Sequence, residues 1–313
     1  MNPDMLIDFD NIPLKLQVED VSSNFVQMYF FLNTKSLQPK QKELLPLLLE
    51  TWMTSPLMKG GNIMDIETVV KRRTTTLLST DYYLGFSGSS FSPGAYSDSI
   101  VIEAQCERKK FKEAVDFISD VINYPHFTGV KINTTAANLL SNIPSLKLSA
   151  TDVLRVLHDG VYFNKDTNIH YSNFVRQKRV LEDILDRVKD NEQELVKDFH
   201  DIVRSLATSE NAFVYLASDT KNLIREYGSD LSVIRSLFNS TETRKAKTTE
   251  ERFVINSEQE YRDAGSDKPR HIAFGVGGTE SCFLKQSVTY NNTDWTKFEV
   301  GVFTYFLVNK SNF

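Results

Sequence analysis

The chain has 313 residues, 41% of them hydrophobic and 25% charged, with only 13 Gly and 9 Pro, which excludes a disordered or fibrous polymer and predicts one large or two medium globular domains. The formal net charge of −5 provides no global positive field for phosphate backbones or anionic lipid, so neither nucleic acid nor a membrane is expected as a partner. Cys106 and Cys282 lie far apart in hydrophobic surroundings and read as two buried thiols of a reducing compartment rather than a disulfide framework.

The start, MNPDMLIDFDNIP, carries Asp4, Asp8 and Asp10 and no base before Lys15, unlike the basic leader of a secretory signal or an Arg-rich transit peptide. A cytoplasmic protein is expected, with the mitochondrial matrix as the alternative. Uncharged stretches such as LLPLLL fall well short of the ~18–20 apolar residues of a membrane span. Ile12–Glu19 alternates apolar and polar residues and Asn24–Asn33 is a denser apolar run, predicting two opening strands, the second central. Leu44, Leu45, Leu48, Leu49 and Trp52 then recur at helical spacing, and after Gly60-Gly61 a second helix is expected over Ile63–Thr76.

Asp81–Phe91 and Tyr96–Cys106 flank Ser92-Pro93-Gly94 and predict an antiparallel hairpin. Phe111, Ala114, Val115, Ile118 and Ile122 form one apolar stripe of a helix that must lie on the sheet and stop before Pro125. Four helical segments follow, near 129–142, 148–162, 172–189 and 191–207, the last two rich in charges that read as a solvated outer face. Asn211–Asp219 returns to a strand pattern, followed by a helix and an amphipathic turn through Leu231, Ile234, Leu237 and Phe238.

This order predicts an α+β fold, a mixed and mostly antiparallel sheet with helices packed on one face. One α+β domain is expected over 1–240 and a linker over the polar stretch 241–251. A second domain is expected to begin at 252–313, with strands at FVIN, HIAFGV and FLKQSVTY and a helix over Trp295–Val308.

Local chemistry is sparse. His126, His158, His170, His200 and His271 have no partner at the i+3 or i+4 spacing of a convincing zinc motif, and His158 and Asp159, as helix neighbours, are expected to point apart. Gly275–Ser281 follows a strand but has Glu280 where a phosphate loop needs glycine. The serines of GFSGSS lack the Gly-x-Ser-x-Gly elbow and lead into a hairpin.

The segment KSLQPKQKELLPLLLETWMTSPLMKGG, the acidic helix start MDIETVV, TLLSTDYYLGFSG and the helix ending in INYPHF together resemble the pitrilysin-type zinc metallopeptidases, over about residues 6–300. More narrowly they resemble the carboxy-terminal half of the presequence-protease branch. The resemblance implies a pitrilysin/LuxS-like fold and a two-half enzyme that encloses a chamber for short unfolded peptides. In such an enzyme only the amino-terminal half carries His-x-x-Glu-His and its zinc. The corresponding helix here reads Leu47-Leu48-Leu49-Glu50-Thr51, so Leu47 and Thr51 replace the two imidazoles and Glu50 alone is kept. Without imidazoles no metal or cofactor is expected in this chain, and Glu50 is expected to be a helix-surface carboxylate.

The Arg and Tyr of the family's Arg-x-Lys-Gly-x-x-Tyr-like stretch are expected beyond Phe313, so the chain reads as truncated at both ends. The implied partners are an amino-terminal catalytic half, in the same or a separate polypeptide, and unfolded peptide. A catalytically dead scaffold or interaction subunit is the alternative.

Overall fold

Strands arise here where β-branched and aromatic residues alternate or concentrate, and helices where apolar residues recur every three to four positions. The computed structural model describes Ile7, Ile12 and residues 14–238. The expected linker, the second domain, Cys282, His271 and the glycine-rich Gly275–Ser281 lie outside those residues.

Strands β1 (Lys15–Asp20) and β2 (Phe25–Asn33) lead into α1 (Pro39–Trp52), a small hairpin β3 (Leu57–Lys59) and β4 (Asn62–Met64), and α2 (Ile66–Thr76). The hairpin β5 (Ser79–Phe86) and β6 (Ala95–Glu107) follows, then α3 (Phe111–Asn123), α4 (Gly129–Leu148), α5 (Ala150–Tyr162), the short α6 (Asn168–Tyr171) and the long α7 (Phe174–Leu206). Strand β7 (Ala212–Ser218), α8 (Thr220–Tyr227) and a 3-10 turn over Ser232–Leu237 close the described chain.

Five strands form one sheet in the order β1-β7-β2-β6-β5. As expected β2 is central, antiparallel to both β6 and β7. The opening strands are not neighbours, however. β7 enters between them and runs parallel to β1, so the sheet closes only after the helical layer has been made. The fold is α+β, a mostly antiparallel mixed sheet with helices on one face.

The core lies between that face and the helices. Val26, Met28, Phe30 and Leu32 of β2, Ile100, Ile102, Ala104 and Cys106 of β6, and Val214 and Leu216 of β7 are all buried there. The expected stripe of α3 packs into the same core, with Phe111, Ala114, Val115, Ile118 and Ile122 buried. Cys106 is a free buried thiol, and burial pushes its pKa up to about 12.

Three local differences have clear causes. Gly60 and Gly61, with φ of +59° and +81°, turn the β3–β4 hairpin instead of a plain loop. The second helix begins at Ile66, three residues later than expected, because the Asp65 side chain accepts from the Thr68 N–H at 2.8 Å and caps it there. The two helices expected at 172–189 and 191–207 are joined in α7 but broken at Asn191 (φ −152°, ψ 69°), whose Oδ1 accepts from the Glu194 N–H and starts the second segment. Among the described residues no helix is long and apolar enough to cross a membrane.

Candidate functional site

Helix α1 is enclosed on nearly every side, packed against α4, α7 and β5, which explains its unbroken apolar run. Leu47 and Thr51 are each 0% exposed. The Thr51 hydroxyl donates to the Leu47 carbonyl at 2.7 Å, so the two positions that the resemblance sets against imidazoles are tied to each other inside the core. One is an alkyl group and the other a hydroxyl already engaged with backbone, and such a pair does not fit a zinc ion. Among the described residues no group of three His, Cys, Asp or Glu side chains could hold a metal.

Glu50 is not the surface carboxylate expected from the sequence. It is half-buried, and its Oε1 accepts from the Ser90 hydroxyl at 2.5 Å. The serine comes from the loop between β5 and β6, where Gly94 packs so closely that a Cβ there would stand 1.9 Å from the Phe86 carbonyl oxygen. The glycines of GFSGSS and SPG therefore fold the loop tightly and bring Ser90 over α1. Glu50 also raises the pKa of the nearby Tyr82 phenol, after the larger effect of burial.

The histidines take ordinary roles, with one correction. His158 Nδ1 and Asp159 Oδ1 lie 3.0 Å apart, and the imidazole stacks on Tyr162 with centroids 4.5 Å apart. Successive helical side chains diverge by only about 100°, so neighbours this long can fold towards each other. His200 packs on Phe127, and burial lowers its pKa. The charges of α7 make local pairs, Lys178 with Glu182 at 2.6 Å and Arg204 with Asp201 at 2.9 Å, as a solvated face should. Arg187 and Asp198, 2.9 Å apart, bridge the break at Asn191.

The most distinctive cluster lies on the face of the sheet turned away from the helices. Because side chains alternate along a strand, the odd-numbered residues of β1, β2 and β7 share this face. Gln17, Tyr215, Tyr29, Glu103 and Asp81 stand in direct register across all five strands. Two residues along, Lys15, Phe213, Phe31, Val101 and Tyr83 form the adjacent row.

Aromatic contacts knit the rows together: Phe31 with Phe213 at 5.6 Å and with Tyr96 at 5.5 Å, and Tyr29 with Tyr215 at 5.9 Å and with Phe86 at 5.5 Å. These rings and Gln17 line a groove of about 620 Å³. At its polar side Glu103 accepts from Gln27 Nε2 at 2.8 Å, from the Tyr29 hydroxyl at 3.1 Å and from the Tyr83 hydroxyl at 3.3 Å. The Tyr215 hydroxyl donates to Glu19. Burial, reinforced by Asp81 and Glu103, pushes Tyr83 up to about 12, and burial with the Glu19 bond does the same for Tyr215. Both phenols therefore remain donors at neutral pH.

Sequence reasoning missed this face. Its signal was present as Tyr29 and Phe31 in NFVQMYFFLN and Phe213 and Tyr215 in AFVYLAS, each pair on one phase of its strand, but the dense apolar pattern reads equally well as a strand buried on both sides.

The peptidase M16 inactive domain from Pseudomonas fluorescens superposes on this chain with a TM-score of 0.50 at 12% identity, over 75% of this chain and 50% of that one. The chain has the fold of that inactive domain. Two further solved structures are similar over part of the chain. They are a conserved protein from Enterococcus faecalis (TM-score 0.48, 14% identity, 70% of this chain and 50% of that one) and the periplasmic protease PqqL from Escherichia coli (0.43, 10%, 67% and 21%). A curated relative, the uncharacterized protein C3H1.02c of Schizosaccharomyces pombe, is 22% identical over 189 residues, so the match spans 59% of this chain and 18% of that protein. No family model matches.

Proposed function

We propose that this chain is the non-catalytic half of a presequence-protease-like zinc endopeptidase, working with a catalytic half in the same or a separate polypeptide on short unfolded peptides. The observation that carries the reading is the sheet. It is covered by helices on one face and carries an aromatic groove bordered by Glu103 on the other, features that suit the wall of a substrate chamber. The filled motif positions Leu47 and Thr51 agree with it, since such a half has no metal to hold and carries out no proteolysis alone. Zinc belongs to the partner half, and the complex works in the cytoplasm or the mitochondrial matrix.

A second reading, a catalytically dead scaffold subunit, is favoured by the exposed apolar side chains Met58, Ile63, Ile66 and Val70 on the β3–β4 hairpin and α2. The native product, captured with an antibody to this segment, separates the two. A mass well above 35.8 kDa with one bound zinc supports the peptidase half. A product without zinc, whether alone or with a partner lacking His-x-x-Glu-His, overturns it in favour of the scaffold.

A further inference from the structure

We infer that helix α2 and the chain at its C-terminal end form a docking surface for an acidic amphipathic helix of a partner protein. Apolar side chains of that helix pack on Ile66, Val70 and Leu78, and its carboxylates meet Lys71, Arg73 and Lys109. The inference goes beyond the chamber-wall reading and holds whether the whole protein cleaves peptides or only scaffolds.

Exposed apolar groups are the first argument. Val69 of α2 is buried, while Ile66 and Val70 remain 40% and 38% exposed. They stand one turn apart on one side of the helix, and Arg73 continues that side three residues on. Leu78, 53% exposed, follows the helix directly and is pinned there by its N–H, which donates to the Gln105 carbonyl at 2.8 Å.

Charge decides what covers them. Among the described residues Lys71, Arg73 and Lys109 make no ion pair. Lys59 and Arg72 share the single carboxylate of Asp120, at 2.7 and 2.5 Å, which leaves that triad one positive charge in excess. Lys110 adds a cation at the end of α2, where its Nζ donates to the Thr75 carbonyl at 2.8 Å. The acids of α2 itself, Asp65 and Glu67, are confined to its start, and Asp65 is engaged as the cap. Against these cations the adjoining chain sets Glu107, Glu113 and Asp120, fewer in number. A chain of formal net charge −5 thus gathers positive charge around exposed apolar side chains, and its complement is a surface of carboxylates and apolar groups. Because the amides of α2 are bonded within the helix, it offers a partner no strand edge. Side chains alone engage it, as when one helix packs along another with apolar residues at i and i+4.

The test is fluorescence anisotropy of labelled, stapled helices of about four turns on the purified 313-residue chain. One helix carries Leu at i and i+4 flanked by Glu, a second has Lys in place of Glu, and a third has Ser in place of Leu. The Leu and Glu helix should bind about tenfold more tightly than either of the others, the size of two exposed ion pairs, and weaken as salt is raised. Lys71→Glu with Arg73→Glu should weaken it about tenfold, and Lys109→Glu, which serves if that variant does not fold, about threefold. Val70→Ser with Leu78→Ser should also weaken it. Lys165→Glu with Lys197→Glu, the same change of charge at exposed positions elsewhere, should leave binding unaltered. Equal affinity for the Glu and Lys helices, or binding that survives the changes at Lys71, Arg73 and Lys109, overturns the inference. Binding of no helix also overturns it and leaves the chamber-wall reading standing. Attachment to vesicles of phosphatidylserine and phosphatidylcholine in place of the helix assigns the surface to lipid and overturns it. So does a dimer in sedimentation that Lys71→Glu with Arg73→Glu dissolves, since the surface then belongs to a second copy.

Discussion

The two faces of the central sheet are made by the same strands, yet one packs under the helices and the other is built of aromatic and acidic side chains. On the helix-covered face Val26, Met28, Phe30 and Leu32 meet helices and lose their contact with water, so each contributes hydrophobic free energy to folding. On the other face Tyr29 packs on Tyr215 and Phe31 on Phe213, and the two tyrosine hydroxyls donate to carboxylates. The contrast teaches that apolar content alone does not mark the core of this fold. What marks it is whether a second layer reaches the side chains.

The contrast can be broken most severely at α1. Replacing Leu47→His together with Thr51→His restores the motif letters at two enclosed positions, and should cost about 3–5 kcal/mol by burying imidazoles without room or partners. Urea denaturation and zinc analysis check this, and a folded variant holding one zinc would show that these positions are not sealed. Trp52→Ala, at a fully buried ring whose Nε1 donates to the Val121 carbonyl at 2.8 Å, should likewise cost about 3–5 kcal/mol. Tyr29→Ala on the aromatic face should cost no more than about 2 kcal/mol, and equal losses for the two would erase the distinction between the faces.

Ser90→Ala removes the hydroxyl that Glu50 accepts from and should cost about 1–2 kcal/mol, with the melting curve as readout. A smaller effect belongs to the phenols of the aromatic face. A tyrosine loses its proton near pH 10.0 when unfolded, whereas Tyr83 and Tyr215 hold theirs to about 12. Between those values the unfolded state binds fewer protons, so stability should be intact below pH 10 and fall as pH rises towards 12. Tyr83→Phe with Tyr215→Phe should flatten that decline, and an unaltered slope would mean these phenols are not shielded. At the outer surface, Lys178→Ala breaks an exposed pair with Glu182 and should change stability by less than ~0.5 kcal/mol.

Particular elements show what was legible. The α3 stripe, the β5–β6 hairpin and the interruption near residue 190 follow from periodicity, Pro-Gly chemistry and loss of the apolar repeat, all local signals. The candidate site was less legible. Glu50 was singled out from the sequence beside Leu47 and Thr51, but nothing nearby in sequence announced that Ser90, forty positions on, would claim its carboxylate. His158 and Asp159 were misjudged because helical geometry fixes the Cα–Cβ directions and leaves the side-chain torsions free.

By itself the sequence determined most of the elements and their order, because helical and strand periods are written within a few residues. Only the tertiary structure decided that β7 enters between β1 and β2, which aligns Gln17, Tyr215, Tyr29, Glu103 and Asp81 in one row. Strand pairing joins residues nearly two hundred positions apart, as Gln17 with Tyr215, and the free energy that selects a register comes from how both faces pack at once.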